Sequence, residues 1–320
     1  MKSKKQWLLL EGILALLVLM VAMEMFQKKS GDTQEKISVL ISESEDAQWS
    51  AFKYGLKMAA EDMKTEICMV NVSENLTEME EETLLNQEIE NGADGIILQP
   101  SLGEKEEKSL RKVQKKIPLI LMEDVTGEGK YFPVVSPNQY QLGQALGNEL
   151  VKDYDGILEG KTLGIFAQKG RSQPVMEREK GLRDALKNTG VTISWTLFDV
   201  GENQSEKTLE LQPKVDFVIG LDDKSLTKAG EVAAANNLHS ALVYGIGHST
   251  EAVYYVDIGL SECLIVPDEF QVGYQTMTEL VKKIRQPFYA MENKEVSYTV
   301  LRKDNLFTKD NQEILFTMSQ

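Results

Sequence analysis

The chain has 320 residues, enough for two ordinary domains, and its 42% hydrophobic and 27% charged residues are typical of a folded globular protein. The net charge is −15, and because the first thirty residues carry five lysines and two glutamates, the rest of the chain carries −18. This excess of acid argues against nucleic acid as a partner, since phosphate binding needs clustered lysine and arginine. It also argues against docking of the globular part on an anionic membrane surface.

Few residues are available for thiol or metal chemistry. Cys68 and Cys263 both lie in apolar stretches, so we expect buried structural thiols rather than a disulfide. Neither His239 nor His248 has a cysteine or a second histidine at metal-ligand spacing, so no metal site is predicted. We expect no cofactor.

An apolar segment covers residues 7–26, and its twenty residues match a bilayer core of about 30 Å. Three lysines precede it and two follow, which predicts that residues 1–6 are cytoplasmic and that the rest of the chain is extracytoplasmic. A secretory signal has a shorter apolar region and a small-residue cleavage site, so an uncleaved transmembrane anchor is favoured. No cysteine follows the apolar run, which argues against a lipoprotein, and residues 27–36 are predicted to form a short polar stalk.

The stretch after the stalk predicts a strand, a polar loop and a helix. Ile37–Ile41 is mostly apolar and β-branched, residues 42–48 are polar and acidic, and apolar residues recur at helical spacing from Trp49 onward. This is the first half of a βαβ unit, and ligands of open α/β sheets bind outside the carboxyl ends of the strands. The loop therefore lies where a small-molecule site is expected. It contains no glycine and several acids, so it does not predict phosphate binding.

Strands and helices continue to alternate up to a break at Gly127–Pro137. The predicted elements are strands Glu66–Asn71, Gly95–Leu98 and Leu119–Met122, and helices Met79–Ile89 and Lys105–Lys115. This alternation predicts parallel βαβ units with right-handed crossovers. The glycines and prolines of the break predict the first crossing between two lobes.

A second alternating series follows the break. Its predicted elements are helices Tyr140–Val151, Val175–Lys187, Ser225–Ala235 and Thr250–Val256, and strands Thr162–Ala167, Thr192–Phe198, Phe217–Leu221, Ala241–Gly245 and Cys263–Val266. Helix Phe270–Ile284 and strand Val296–Leu301 are left over, and the helix is expected to pack back on the first lobe. The two series predict two similar α/β lobes.

Several stretches occur in an order and at a spacing that together are specific. They are Ile37–Gly55, ENGADGIILQP at Glu90–Pro100, KKIPLILMED at Lys115–Asp124, SPNQYQLGQALGNEL at Ser136–Leu150, GLDDKSLTKAG at Gly220–Gly230, VYGIGHSTEAVYYVDIG at Val243–Gly259, LIVPDEFQVGY at Leu264–Tyr274 and KDNLFTKDNQEILF at Lys303–Phe316. In these stretches the chain resembles the type I periplasmic binding proteins for sugars, the group related to ribose- and galactose-binding proteins.

The resemblance implies two Rossmann-like lobes with parallel sheets, joined by three hinge crossings, with a ligand held in the cleft between the lobes. It assigns residues 37–135 and 267–287 to lobe 1, and residues 136–266 and 288–320 to lobe 2 and a C-terminal tail. Binding proteins of this type close around their ligand by hinge motion.

The resemblance also implies ligand residues in the first loop. Ser42, Asp46, Gln48 and Trp49 match the family pattern there. Trp49 would stack on a sugar ring, and Asp46 would accept hydrogen bonds from hydroxyl groups. The alternatives are that Trp49 is the first core residue of its helix and that Asp46 is an N-cap.

Further positions in and beside the first lobe match in part. Gln99 matches the polar position after the third strand, and Glu123 and Asp124 stand where the family has an Asp-Arg pair, so an arginine has become acidic. These two acids could also be solvated loop charges. At the second crossing, Pro267 stands where glutamine or asparagine is common, and Asp268 follows it.

In the second lobe the resemblance points to Arg178 and Asp222. Arg178 falls in the segment where the family places a ligand arginine, and Asp222 matches an Asn or Asp after a strand. The alternatives are a surface arginine paired with Glu177 or Asp184, and a helix cap at Asp222. Gly247 falls where many sugar binders have an aspartate, so that carboxylate is missing.

No catalytic motif occurs, and we do not expect an enzyme. The implied site is acidic, which suits either a neutral sugar or a cationic ligand. We expect an extracytoplasmic solute-binding protein that captures a small polar ligand, with a sugar as the leading candidate, for a transporter of the ATP-binding-cassette type. The alternative is a ligand-sensing accessory subunit of a membrane sensor kinase, without transport. The partners in either case are the ligand, the membrane and one membrane protein.

Overall fold

The computed structural model describes residues 34–42, 49–73, 76–100, 107–122, 132–168, 170, 172–198 and 204–320. These residues form two large sheets of mainly parallel strands with covering helices, and a two-stranded parallel sheet. The α/β class with parallel sheets is therefore confirmed. None of the helices in these ranges is both long and apolar enough to cross a bilayer. The predicted anchor at residues 7–26 lies outside the described residues.

The first sheet has the strand order β2-β1-β3-β4, and all its neighbours are parallel. Its strands are β1 (Lys36–Ser42), β2 (Glu66–Val72), β3 (Gly95–Leu98) and β4 (Leu119–Leu121), and its connecting helices are α1 (Ser50–Met63), α2 (Glu78–Glu90) and α3 (Glu107–Gln114). Each of these elements was predicted within a few residues. We call this sheet with its helices lobe 1.

The second sheet has the order β12-β10-β9-β8-β6-β7. Its strands are β6 (Thr162–Ala167), β7 (Thr192–Phe198), β8 (Phe217–Gly220), β9 (Leu242–Ile246), β10 (Ser261–Pro267) and β12 (Tyr298–Leu301). Its helices are α4 (Gln139–Asp153), α5 (Gln173–Ala185), α6 (Ser205–Glu210), α7 (Asp223–Ala234) and α8 (Thr250–Asp257). We call this sheet with its helices lobe 2; within it, β7-β6-β8-β9 repeats the order β2-β1-β3-β4 of lobe 1.

The predicted strand Val296–Leu301 is wrong as a single element. β11 (Lys294–Val296) pairs in parallel with β5 (Val135–Pro137), whereas β12 pairs antiparallel with β10. The chain changes partner at Ser297, whose carbonyl oxygen accepts a hydrogen bond of 3.0 Å from the amide of Asp268. Pairing with two different sheets therefore divides the predicted strand at this residue.

Close helix pairs stabilise each lobe. Helix α9 (Glu269–Arg285) packs back on α1 as predicted, so closely that a side chain on Gly55 would collide with the carbonyl oxygen of Phe270, and one on Gly273 with that of Phe52. In lobe 2, α4 and α5 make the equivalent pair. Glycine is needed at such crossings because the two backbones are in direct contact.

A short C-terminal helix, α10 (Gln312–Met318), was not predicted. Met318 is buried in the hydrophobic cluster of lobe 2, and that cluster also includes Ala51 from the first turn of α1. The ring of Phe316 lies edge-on against Tyr54 of α1. α10 therefore joins the core of lobe 2 to the helix that follows the first loop of lobe 1. The two cysteines are free as expected, although Cys68 is only half-buried.

Candidate functional site

Ser42 and Gln99 meet at the carboxyl ends of the adjacent parallel strands β1 and β3. The backbone amide and the hydroxyl group of Ser42 both donate hydrogen bonds of 3.0 Å to Oε1 of Gln99, which is 8% exposed. A backbone N–H can only donate, so the acceptor must be the amide oxygen. The bond therefore fixes the orientation of the Gln99 amide and leaves its Nε2 group as a hydrogen-bond donor.

Trp49 is held at the other end of the first loop. Its indole Nε1 donates a hydrogen bond of 3.0 Å to the carbonyl oxygen of Ser42, and its ring packs edge-on against Phe52. The side chain is 5% exposed and belongs to the core of lobe 1. This packing matches the alternative in which Trp49 is a core residue. Stacking on a sugar stays a prediction. It would require a movement that exposes the indole ring.

Four of the predicted site residues fall outside the described residues. They are Asp46, Gln48, Glu123 and Asp124. Their roles stay predictions.

Arg178 connects two elements of lobe 2 at the carboxyl end of β8. Its Nε donates a hydrogen bond of 2.6 Å to Oε1 of Gln139, and its Nη1 donates one of 2.9 Å to the carbonyl oxygen of Leu221. The expected surface alternative involved Glu177 or Asp184, and neither bond is to these acids. The guanidinium group therefore lies at the strand edge where a ligand site is expected.

Asp222 follows β8 and is 6% exposed. Its Oδ1 accepts a hydrogen bond of 2.7 Å from the amide of Ser225, and its Oδ2 accepts one of 2.9 Å from the amide of Gln168. The Ser225 hydroxyl group completes a capping box at the start of α7. Asp222 is thus a helix cap that also holds the end of β6, and both of its oxygens are engaged. Its ligand role stays a prediction.

Asp223, beside Asp222, connects two loops at the carboxyl edge of the second sheet, which the sequence did not predict. It is 8% exposed, and its Oδ1 accepts hydrogen bonds from the amides of His248 at 2.7 Å and Ser249 at 2.8 Å. A Cβ atom on Gly247 would lie 2.7 Å from the same oxygen. The carboxylate of Asp223 therefore fills the space beside Gly247, which gives a physical reason for the missing aspartate. In the sequence, this contact is indicated only by a second acid at the start of α7 and by a glycine directly after the next strand.

Asp268 lies where β10 gives way to α9. Its Oδ1 accepts a hydrogen bond of 3.0 Å from the amide of Gln271, capping the helix, while its own amide bonds to Ser297. Burial raises the pKa of this carboxyl group above its ordinary value, and the neighbouring Glu313 of α10 raises it further, against the effect of the capping bond. An ionisable group therefore lies at the start of α9, beside Ser297 and the C-terminal helix.

Comparison with known proteins gives one family. The model described as "periplasmic binding protein domain" matches residues 37–286. No curated protein matches the chain.

Solved structures share the fold at low sequence identity. A glucose-galactose binding protein from Geobacillus stearothermophilus has a TM-score of 0.74 and 18% identity, covering 87% of this chain and 100% of that one. A solute-binding protein of an ABC transporter from Agrobacterium vitis, bound with α-D-tagatopyranose, has a TM-score of 0.76 and 16% identity, covering 88% and 99%. The XylFII–LytSN complex contains a chain with a TM-score of 0.73 and 17% identity, covering 85% and 99%. These similarities are similarities of fold.

Proposed function

Because this chain belongs to the periplasmic binding protein domain family, we propose that it is an extracytoplasmic solute-binding protein that closes two lobes around a small polar ligand, most simply a sugar. The observation that carries the proposal is the position of three polar groups, of which Gln99 is buried and Ser42 and Arg178 are half-buried. Ser42 and Gln99 in lobe 1, and Arg178 in lobe 2, lie at the carboxyl ends of parallel strands. These are the edges where open α/β sheets bind ligands. We infer no catalysis.

The polarity of the described groups supports a ligand rich in acceptor oxygens. Gln99 offers an amide donor of fixed orientation, and Arg178 brings a cation to the second edge. A cationic amine would be unfavourable here, because its N–H groups would face the Nε2 donor of Gln99 and its positive charge would face the guanidinium group of Arg178. A sugar offers hydroxyl and ring oxygens to both, which is why we favour a neutral sugar over an amine.

The ligand would be delivered to a transporter of the ATP-binding-cassette type. Structural relatives described as sugar-binding components of such transporters support this role by analogy of fold. We also propose that the apolar segment 7–26 is an uncleaved single-pass anchor in the cell membrane, with the lobes on the extracytoplasmic side.

A second role is favoured by that anchor. A protein that stays attached to the membrane remains beside one membrane partner, which suits a ligand-sensing subunit of a sensor kinase. A relative of this fold is known as a complex with LytSN. Crosslinking in native membranes separates the two roles, because capture of a permease and its ATPase supports transport and capture of a kinase supports sensing.

A thermal-shift screen of the full chain in detergent tests ligand binding. The panel contains sugars, sugar alcohols, amino sugars and polyamines, since a ligand that binds only the native state raises the unfolding midpoint with concentration. A neutral sugar whose effect is lost in Gln99→Leu supports the proposal. If only cationic compounds stabilise the protein, the proposal of a sugar ligand is wrong. If no compound of the panel stabilises it, the proposal of a small-solute binding protein is wrong.

A further inference from the structure

An apolar segment stands out from the surface just after α9. Phe288 is 104% exposed, more than any other large apolar side chain of the described residues, and Pro287 and Ala290 beside it are exposed as well. A single exposed apolar side chain is ordinary, but a run of them around a fully exposed aromatic ring is typical of a contact surface. None of the described residues covers this ring.

Hydrogen bonds on both sides of Phe288 hold it in this position. The Nζ of Lys283 donates to the carbonyl oxygens of Pro287 at 2.6 Å and Tyr289 at 2.8 Å. The amide of Tyr289 donates to the carbonyl oxygen of Gln286 at 2.8 Å, which closes the turn. The backbone of this turn is therefore fixed in a form that points the ring outward.

The turn lies at the edge of lobe 1 where its strands begin. Gly95, the first residue of β3, is packed so closely on Ile284 near the end of α9 that a Cβ atom there would lie 2.9 Å from its Cδ1. Gly95 pairs with Ile37 at the start of β1. Phe288 and the amino end of β1 are therefore on the same edge of the lobe.

The same edge is closed by a bond between helix ends. Nη2 of Arg285 donates a hydrogen bond of 2.6 Å to the carbonyl oxygen of Met63, the last residue of α1. The strand that follows α1 begins at Glu66, which pairs with Lys36. The chain thus enters lobe 1 at Lys36, on the edge that presents the turn containing Phe288.

The length of chain before Lys36 sets an upper limit on the distance between this edge and the predicted anchor. That anchor ends at Phe26, and the ten residue steps from there to Lys36 span at most about 35 Å when fully extended. We propose that the segment 287–290 dips into the interfacial layer of the bilayer that holds the anchor, with Phe288 as the inserted side chain. This inference rests on the anchored form of the proposed function.

Charge does not drive this contact. Exposed acids and bases alternate along the edge, among them Lys64, Glu66, Asp94 and Arg285, so the edge has no uniform positive field for anionic lipids. The free energy of insertion would come from burying the apolar ring, which does not require anionic lipids. The inference therefore agrees with the acidic composition of the chain.

A fluorescent probe on residue 288 tests the proposal in the full chain. The variant Phe288→Cys is made in a Cys68→Ser background, since Cys263 is fully buried and the native Cys68 is half-buried. The labelled protein is placed in nanodiscs of phosphatidylcholine that contain a spin-labelled lipid. Phe307→Cys is the matched control, because Phe307 is also exposed, at 65%, but lies beyond β12 in lobe 2.

We expect the spin-labelled lipid to quench most of the emission of the probe at 288 and to leave the emission of the probe at 307 unchanged. Aqueous iodide should quench the probe at 307. Equal thermal midpoints for the two variants verify folding. Iodide quenching at both positions overturns the insertion. Shielding of the probe at 288 from both quenchers also overturns it, in favour of a protein partner.

Association of the chain with the nanodiscs is checked first. If the chain does not associate with them, the proposed anchor is contradicted, and so is this inference. The thermal-shift screen for ligands is unaffected by that result. Failure of the membrane contact can thus be told apart from failure of the solute-binding function.

Discussion

The backbones of α4 and α5 touch at Gly143 and Arg178: a Cβ atom on Gly143 would collide with the carbonyl oxygen of Arg178. The same arginine reaches the end of β8 with its guanidinium group. The fit between two helices therefore sets the position of a candidate ligand residue. A change in that fit should be measurable both in stability and in ligand affinity.

We expect Gly143→Ala to destabilise the protein by about 1–3 kcal/mol, since an added methyl group at a backbone contact forces the helices apart. Chemical denaturation measures this loss. Ligand affinity should fall as well, because Arg178 moves with α5. Gly160→Ala is the control: nothing lies within 4 Å of a Cβ atom there, and only backbone strain is expected. Unchanged affinity in Gly143→Ala would show that the packing does not position Arg178.

Arg178→Lys should weaken ligand binding by about tenfold or more, because a lysine cannot reproduce the two directed bonds to Gln139 and Leu221. Calorimetric titration with the ligand found in the thermal screen measures the effect. Arg183→Lys, five residues further along the same helix, is the matched control. Arg183 forms an exposed pair with Glu179, so its replacement should change stability by less than about 1 kcal/mol and leave affinity unchanged. Equal affinity in both variants would contradict the assignment of Arg178.

The alternation of strands and helices was predictable because each element carries a local pattern. Strands β6 and β7 begin and end where the sequence predicts, because the pattern that marks a strand, an apolar run bounded by polar residues, spans only a few consecutive residues. The division of Val296–Leu301 was not predictable in this way. Only Val296 of the predicted strand belongs to β11 while its last four residues form β12, and the distant strands β5 and β10 decide this division.

The candidate site was predictable in its positions but not in its contacts. The sequence placed Ser42 and Gln99 at the ends of strands, and the structure joins them. It did not show that Trp49 is buried or that both oxygens of Asp222 are engaged, because a helix start can face the core as readily as a cleft. The contact between Asp223 and Gly247 joins residues of different βα units, so no local pattern carries it.

Gln99→Glu should reduce affinity for a neutral sugar by about tenfold to a hundredfold, because the donor Nε2 becomes an acceptor while the bonds from Ser42 are kept. The fold should survive, so thermal midpoints without ligand should stay close to that of the original protein. Gln275→Glu, on α9, is the control and should leave affinity unchanged. Undiminished sugar binding by Gln99→Glu would show that the Nε2 group does not face the ligand.

Gly247→Ala should cost about 1–3 kcal/mol, since its Cβ atom would press on Oδ1 of Asp223. Asp223→Ala alone should also destabilise, because two backbone amides lose their acceptor. In the double variant the clash disappears, so the two losses should not add. A double-mutant cycle by chemical denaturation measures this coupling. Strict additivity would show that Asp223 does not occupy the space beside Gly247.

Asp268→Asn should change how stability depends on pH. Burial, together with Glu313, raises the pKa of Asp268 in the folded state, so the folded protein holds this proton more tightly than the unfolded chain. The stability that protonation brings is complete below the unfolded pKa and is lost as pH rises through the folded pKa. Asparagine stays neutral and can still accept the capping bond from Gln271, so the variant should gain stability over the original protein at neutral pH and show little gain in acid. Denaturation at several pH values between acid and neutral measures the difference. Glu313→Gln should give a smaller gain in the same direction, and a gain for Asp268→Asn that grows toward acid would contradict the sign of the shift.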